Sequence, residues 1–206
     1  MNNELIKRIL SSLVLISITF FAFIKGSIFF NLFVLLALLI TLYEWHRLSL
    51  KKVYYLPGFI FIFFSLYTFY YFRVEGEYKF FLLILLTCIS TDIGGYLFGK
   101  IFKGPKLTKI SPNKTYAGMF GSFILSLILA TLYFDYVGIK FSAQLITIIL
   151  LISFVSQAGD LIISFFKRKS KIKHTGKILP GHGGLLDRID GMVFAFPFMY
   201  ILLKII

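Results

Sequence analysis

The sequence predicts an all-α, polytopic membrane protein with about seven transmembrane helices, and three observations carry that expectation. Of 206 residues, 58% are hydrophobic and the mean hydropathy is +0.87, more apolar surface than a soluble domain of this size can bury. The apolar residues run in long blocks that approach the ~20 residues needed to cross ~30 Å of hydrocarbon. The Lys and Arg residues fall mainly between those blocks. The 26 Phe suit helix surfaces that face lipid, and the single Cys88 excludes an intrachain disulfide. A formal net charge of +13 reads as basic cytoplasmic loops rather than a nucleic-acid footprint, so no nucleic-acid partner is expected.

The expected spans are 8–24, 28–45, 55–73, 80–99, 117–137, 142–166 and 186–206. Only Lys25-Gly26-Ser27 separates the first two, which predicts a tight helical hairpin. No small-residue cleavage site follows Ile24, so the first run is expected to be a span and not a signal peptide. With the N-terminus in the cytoplasm, Lys7 and Arg8, then Arg47, Lys51 and Lys52, five lysines in 100–114 and seven basic residues in 167–188 all fall inside. Lys25, Arg73, Lys79, Lys140 and Lys204 are left outside, a strong positive-inside bias. The chain is expected to be one membrane domain over 1–206, with N-terminal spans to about residue 79 and a catalytic part from about 80. It should be a multi-pass protein of the cell's inner, cytoplasmic membrane, with its active site facing the cytoplasm. Glu44, Trp45 and His46 read as the interfacial end of the second span, and Tyr54 and Tyr55 as an aromatic belt.

Charges within apolar spans are the informative residues, because each costs roughly 2.5–3.5 kcal/mol at the bilayer centre. Asp92, Asp160, Asp187 and Asp190 lie in or at the ends of spans, and the topology brings all four toward the cytoplasm. Each alone could cap a helix or pair with a lysine; four converging point to a site. Ser153, Ser156, Gln157, Asp160, Ser164 and Lys167 form a polar stripe along one face of the sixth span. Asp187 and Asp190, three apart, are expected to share a face of the last helix. Such a carboxylate pair suits a hard divalent cation shared with substrate phosphates, while Arg188 offers an alternative counter-charge. Pro180-Gly181-His182-Gly183-Gly184 precedes that helix, and backbone N–H groups in such a loop can face an anion. His182 either contacts a phosphate or caps the loop. Ser111, Lys114 and Thr115 add hydroxyls and an amine suited to phosphate. Gly94, Gly95 and Gly99, with Gly118, Gly121 and Ser122, read as close-packing faces.

Together these residues resemble the phosphatidate cytidylyltransferases, also called CDP-diacylglycerol synthases. That family's signature is S-x-x-K-R-x4-K-D-x-G-x3-P-G-H-G-G-x-x-D-R-x-D. Ser164, Lys167, Arg168, Lys173, Gly176, Pro180, Gly181, His182, Gly183, Gly184, Asp187, Arg188 and Asp190 fall on it in register. Gly159 and Asp160 fit the block just upstream, and the Asp92 and Ser111–Thr115 segments resemble two further blocks. The resemblance covers roughly 90–191. His174 stands where the signature has Asp, Asn113 where a related block has Lys, and Ala117 where it has Glu.

The resemblance implies a magnesium-dependent nucleotidyltransferase of phospholipid biosynthesis. CTP and phosphatidic acid, drawn from the surrounding membrane lipids, would give CDP-diacylglycerol and pyrophosphate. Asp160, Asp187 and Asp190 would serve Mg²⁺, directly or through water. Lys167, Arg168, Lys173 and Arg188 would hold phosphates, with His182 beside them. Asp92, Ser111, Lys114, Thr115, Ser164, Gly183 and Gly184 would contact substrate. A second, monovalent cation and a homodimer are compatible with this reading. The alternatives are a related CTP-dependent enzyme acting on another lipid phosphate or a polyprenol, and a membrane transporter. The clustering of polar residues on one side disfavours the transporter.

Overall fold

The computed structural model describes residues 17–76, 78–140, 142–176, 178 and 183–205. Residues 17–25 are helical, and seven helices follow: α1 (Ser27–Ser49), α2 (Tyr55–Val74), α3 (Tyr78–Phe102), α4 (Tyr116–Val137), α5 (Ala143–Lys169), α6 (Leu186–Ile189) and α7 (Met192–Ile205). Five of these, α1 to α5, are long and apolar enough to cross a membrane. The protein is therefore an all-α polytopic membrane protein.

The expected count of about seven spans is not reached among the described residues. Much of the first expected span, 8–24, lies outside them. The last, 186–206, is not one crossing. A single turn, α6, ends before Asp190, and α7 has 14 residues, about 21 Å at 1.5 Å per residue and short of the ~30 Å hydrocarbon core. Asp187 therefore sits in α6 and Asp190 in the turn beyond it, not on one face of a continuous helix. The local cause is Gly191, which is pressed onto α5: an added Cβ would meet Ser156 Oγ at 2.3 Å. Its N–H is taken by Asp190 Oδ1 at 3.0 Å.

The chain groups into two compact units interleaved in sequence, one of residues up to Tyr70 with Phe166–Ile189, the other of Tyr71–Phe165 with Asp190–Ile206. The first unit is organised around Trp45, which is 3% exposed. Its indole N–H donates to Tyr55 O at 3.0 Å, and its ring meets Phe166 edge-on at 5.4 Å. Any side chain on Gly58 would enter that indole, since a Cβ would lie 1.9 Å from Trp45 Cζ2. Tyr54 packs on Phe166 at 4.5 Å, and Tyr55 Oη meets His46 Nδ1 at 2.8 Å. Trp45, Tyr54 and Tyr55 are thus packing elements and not simply an interfacial belt.

In the second unit α3 and α4 cross on their small residues. A Cβ on Gly94 would lie 2.5 Å from Gly121 O, and one on Gly118 would lie 2.6 Å from Gly95 O. Ser122 donates to Thr91 O at 2.7 Å, and Thr91 donates to Ser153 at 2.7 Å, which joins α3, α4 and α5 by hydroxyls. With no water in hydrocarbon to satisfy them, interhelical hydroxyls and small residues replace the hydrophobic drive of a soluble core. The α5 stripe faces inward as its spacing predicts: Ser153, Ser156 and Ser164 are buried, whereas Phe154 and Phe165 are exposed. Phe81 and Phe72 pack on Phe196 of α7, with centroids 5.6 and 6.0 Å away.

The crossing gives a test. Gly94→Ala sets a methyl against rigid backbone and should destabilise the protein by about 1–3 kcal/mol, the usual cost of overpacking. Gly95→Ala, whose methyl meets the Ser122 hydroxyl at 3.0 Å, should cost less. Thermal unfolding of both variants in detergent checks the ranking.

Candidate active site

Two charged clusters stand out, one in each unit. The first lies at the C-terminal part of α5. Asp160 Oδ2 is ion-paired with Lys114, and Asp160 Oδ1 accepts from Ser164 Oγ at 3.3 Å. Lys114 is carried by the loop before α4. That loop is pinched by an isolated bridge between Lys106 and Thr115, and Leu107 N donates to Lys114 O at 2.8 Å. Thr115 ends the loop as the N-cap of α4: its Oγ1 accepts the Gly118 N–H at 3.1 Å. Ser111 O accepts the Lys114 N–H, closing the turn. Gly159 lets the start of α7 reach this level of α5, since a Cβ there would meet Asp190 O at 2.9 Å and Phe194 at 2.6 Å. Asp190 is 8% exposed. Asp92 is exposed on α3, one residue past Thr91.

The second cluster surrounds Asp187. Lys167 Nζ lies 2.7 Å from Asp187 Oδ1, with side chains 12% and 5% exposed. Asp187 Oδ2 accepts from Thr175 N at 2.9 Å and Gly184 N at 3.1 Å, and His174 Nδ1 is 3.7 Å away. Burial pushes the Asp187 carboxyl up, but the Lys167 bond and charge, with the two backbone N–H groups, overcome it and hold the group below the usual carboxylate range. Gly183 has φ +90, and a Cβ there would lie 2.8 Å from Asp187 Oδ2 and 2.9 Å from His174 Nδ1. Conformation and space both call for glycine. Arg168, Lys173 and Arg188 are exposed. His182, with Pro180 and Gly181, lies outside the described residues.

One residue of this cluster escapes a reading by motif. Glu44 of α1 is completely buried. Its Oε2 accepts from Thr175 Oγ1 and Leu186 N, and its Oε1 from Leu185 N, all at 2.8 Å. At the end of its span it is therefore a buried anchor rather than a solvent-facing charge. The one available signal was its position, the single carboxylate between Glu4 and Glu75, in the last two turns of an apolar helix. The N–H groups of residues 184–186 are consequently spent on Asp187 and Glu44. Of the Pro180–Gly184 loop expected to face an anion, the Gly184 N–H is thus taken by Asp187.

For a divalent cation the donor chemistry is suitable, since carboxylate oxygens are hard ligands. Asp160 has room: its side chain is 29% exposed, and two partners leave part of the capacity of about four lone pairs. Asp187 already faces three close N–H donors. Among the described residues, no three His, Cys, Asp or Glu side chains form a group able to hold a metal.

Fold and charge placement together define a helical membrane protein with ionised side chains gathered at helix ends and in the connections between them. The chain belongs to the cytidylyltransferase family, whose model matches residues 54–206. It is 42% identical over 133 residues to the phosphatidate cytidylyltransferase of Staphylococcus saprophyticus, which covers 64% of this chain and 51% of that protein. Similarity to the enzymes of the same name from Bacillus subtilis, 42% over 127 residues, and Staphylococcus aureus, 44% over 141, covers 59% and 66% of this chain and 47% and 52% of theirs. The chain spans about half the length of the curated relatives it matches.

The lowered Asp187 pKa has a signed consequence. Its stabilisation is present at pH 7, above the ordinary value of 3.8, and is lost as pH falls through the lowered folded value. The gap in melting temperature between wild type and Asp187→Asn should therefore be full at neutral pH and close on acidification. Lys167→Met leaves a nearly buried carboxylate unpaired and should cost about 3–5 kcal/mol at pH 7, which thermal unfolding also reads.

Proposed function

We propose that this chain transfers the cytidylyl group of CTP to phosphatidic acid, giving CDP-diacylglycerol and pyrophosphate. The observation that carries the reading is the Lys114–Asp160–Ser164 cluster on the inward stripe of α5, inside the segment matched to the cytidylyltransferase family. There a cation suited to phosphate and a carboxylate suited to a metal ion stand side by side at a membrane helix. Relatives named phosphatidate cytidylyltransferase supply the substrate pair.

In this reading a phosphate oxygen of phosphatidic acid attacks the α-phosphorus of CTP. The bond to the β-phosphate bridging oxygen breaks, and pyrophosphate leaves with that electron pair. The nucleophile is already an anion near neutral pH, so proton abstraction is not the difficulty; gathering negative charge is. Lys114, Lys167, Arg168, Lys173 and Arg188 are the side chains proposed to meet phosphates, with Asp92, Ser111, Thr115, His182, Gly183 and Gly184 in supporting contacts. Asp160, Asp187 and Asp190 are the carboxylates proposed to serve Mg²⁺, directly or through water. The ion would supply charge neutralisation on the phosphates. Bacterial relatives support a cell-membrane location, and the positive-inside bias supports an N-terminus and these residues on the cytoplasmic side. A homodimer and a monovalent cation are compatible with the proposal and carry no step in it.

The test is Mg²⁺-dependent conversion of labelled CTP and phosphatidic acid to CDP-lipid by the purified chain. Asp160→Asn and Asp190→Asn should each insert and fold yet lose turnover by about 10²–10³-fold, the usual scale for removing a centre of transition-state charge stabilisation. Near-normal conversion by both would sink the mechanism.

A further inference from the structure

We infer that Glu44 is a positioning residue, which from α1 closes the neck of the loop running from Thr175 to Leu186 and so sets the placement of Asp187. The inference deepens the proposed cytidylyl transfer and rests on that reading for its kinetic arm alone.

The geometry has two halves. Thr175, where the loop leaves, gives its hydroxyl to Glu44 and its N–H to Asp187. Where the loop returns, Gly184 N donates to Asp187, and Leu185 N and Leu186 N donate to Glu44. Each end of the loop is thus held by both carboxylates, with Glu44 coming from a helix more than 130 residues away in sequence. Leu186 N opens α6 and Leu185 N directly precedes it, so Glu44 takes two N–H groups at the entry to that turn. All of its bonds are accepted. Glutamine would turn one oxygen into an NH₂ facing a fixed N–H donor, whichever way it is placed.

The glycines record the same contact. At Gly176 the three atoms nearest an added Cβ all belong to Glu44: Oε1 at 2.6 Å, Cδ at 3.0 Å and Cγ at 3.3 Å. At Gly184 a Cβ would lie 2.4 Å from Glu44 Oε2 and 2.1 Å from Thr175 Oγ1. The loop backbone lies directly on the carboxylate, so losing its bonds frees the neck as a unit.

Hydrogen exchange and steady-state kinetics on the full chain in detergent test this, with Glu44→Gln, Glu44→Asp, Glu44→Ala, Gly176→Ala and the double variant Glu44→Ala/Gly176→Ala. In Glu44→Gln, amides of 174–176 and 184–189 should exchange at least about tenfold faster, while α4 keeps wild-type protection. The kcat should fall about 10–100-fold, the scale of a misplaced catalytic group, with the KM for CTP within about threefold. Glu44→Asp, which keeps the charge, should recover part of the kcat. Gly176→Ala should loosen the loop in wild type but add nothing to Glu44→Ala, because the atoms it strikes are gone. Unchanged exchange in 174–176 and 184–189, normal kcat despite a loosened loop, or loosening of α4 in step with the loop would each overturn the inference. A wild-type chain that does not convert CTP would remove the proposed function and leave the exchange data and the Gly176 cycle to decide the role of Glu44 in shaping the loop.

Discussion

A carboxylate buried within an apolar helix must be surrounded by donors, and Glu44 imposes that condition on the unit it belongs to. Glu44 is fully buried near the end of α1, where an unpaired charge would cost several kcal/mol. Only a polar stretch of backbone can supply several N–H groups in so small a space. The segment around Thr175 and Leu185–Leu186 does so, and glycine is needed where the chain passes closest. Asp187 is built on that neck and pairs with Lys167 of α5, so the nearly buried ion pair depends on a residue with no place in the signature.

The second unit meets the membrane by another route. Its helices approach through Gly94, Gly118 and Gly121 and are joined by Thr91, Ser122 and Ser153. Gly94 and Gly118 set backbone against backbone, and the Phe98 side chain lies against Gly121. Rigidity at that crossing matters to the site because α5 carries Ser153 in the hydroxyl network and Asp160 two turns further along the same face.

Much of this was legible in the sequence. Apolar blocks gave α1 to α5 to within a few residues, since burial in lipid demands length and composition above all. The stripe from Ser153 to Lys167 was readable because helical periodicity is local. The division of the last block at Asp190-Gly191 was not, because it follows from Gly191 pressing on Ser156, a contact between segments 35 residues apart. Glycines 183 and 184 looked like an anion cradle because glycine-rich turns before helices often are. The Gly184 N–H instead meets Asp187, and the next two N–H groups meet Glu44, about 140 residues upstream. The role of Glu44 is therefore invisible to any reading of neighbouring residues.

That separation has a consequence for how the protein is made. Thr175 follows Glu44 by 131 residues, which at ~5–20 residues per second of synthesis is an interval of roughly 7–26 s. Throughout it, α1 has been made and the donors that surround its carboxylate have not. Glu44 lies within two turns of the helix end, where a long acidic side chain can still reach water at the bilayer surface. Helix α1 can thus wait in the membrane with its polar group hydrated until the segment around Thr175 and Leu185 is made and draws that group inside.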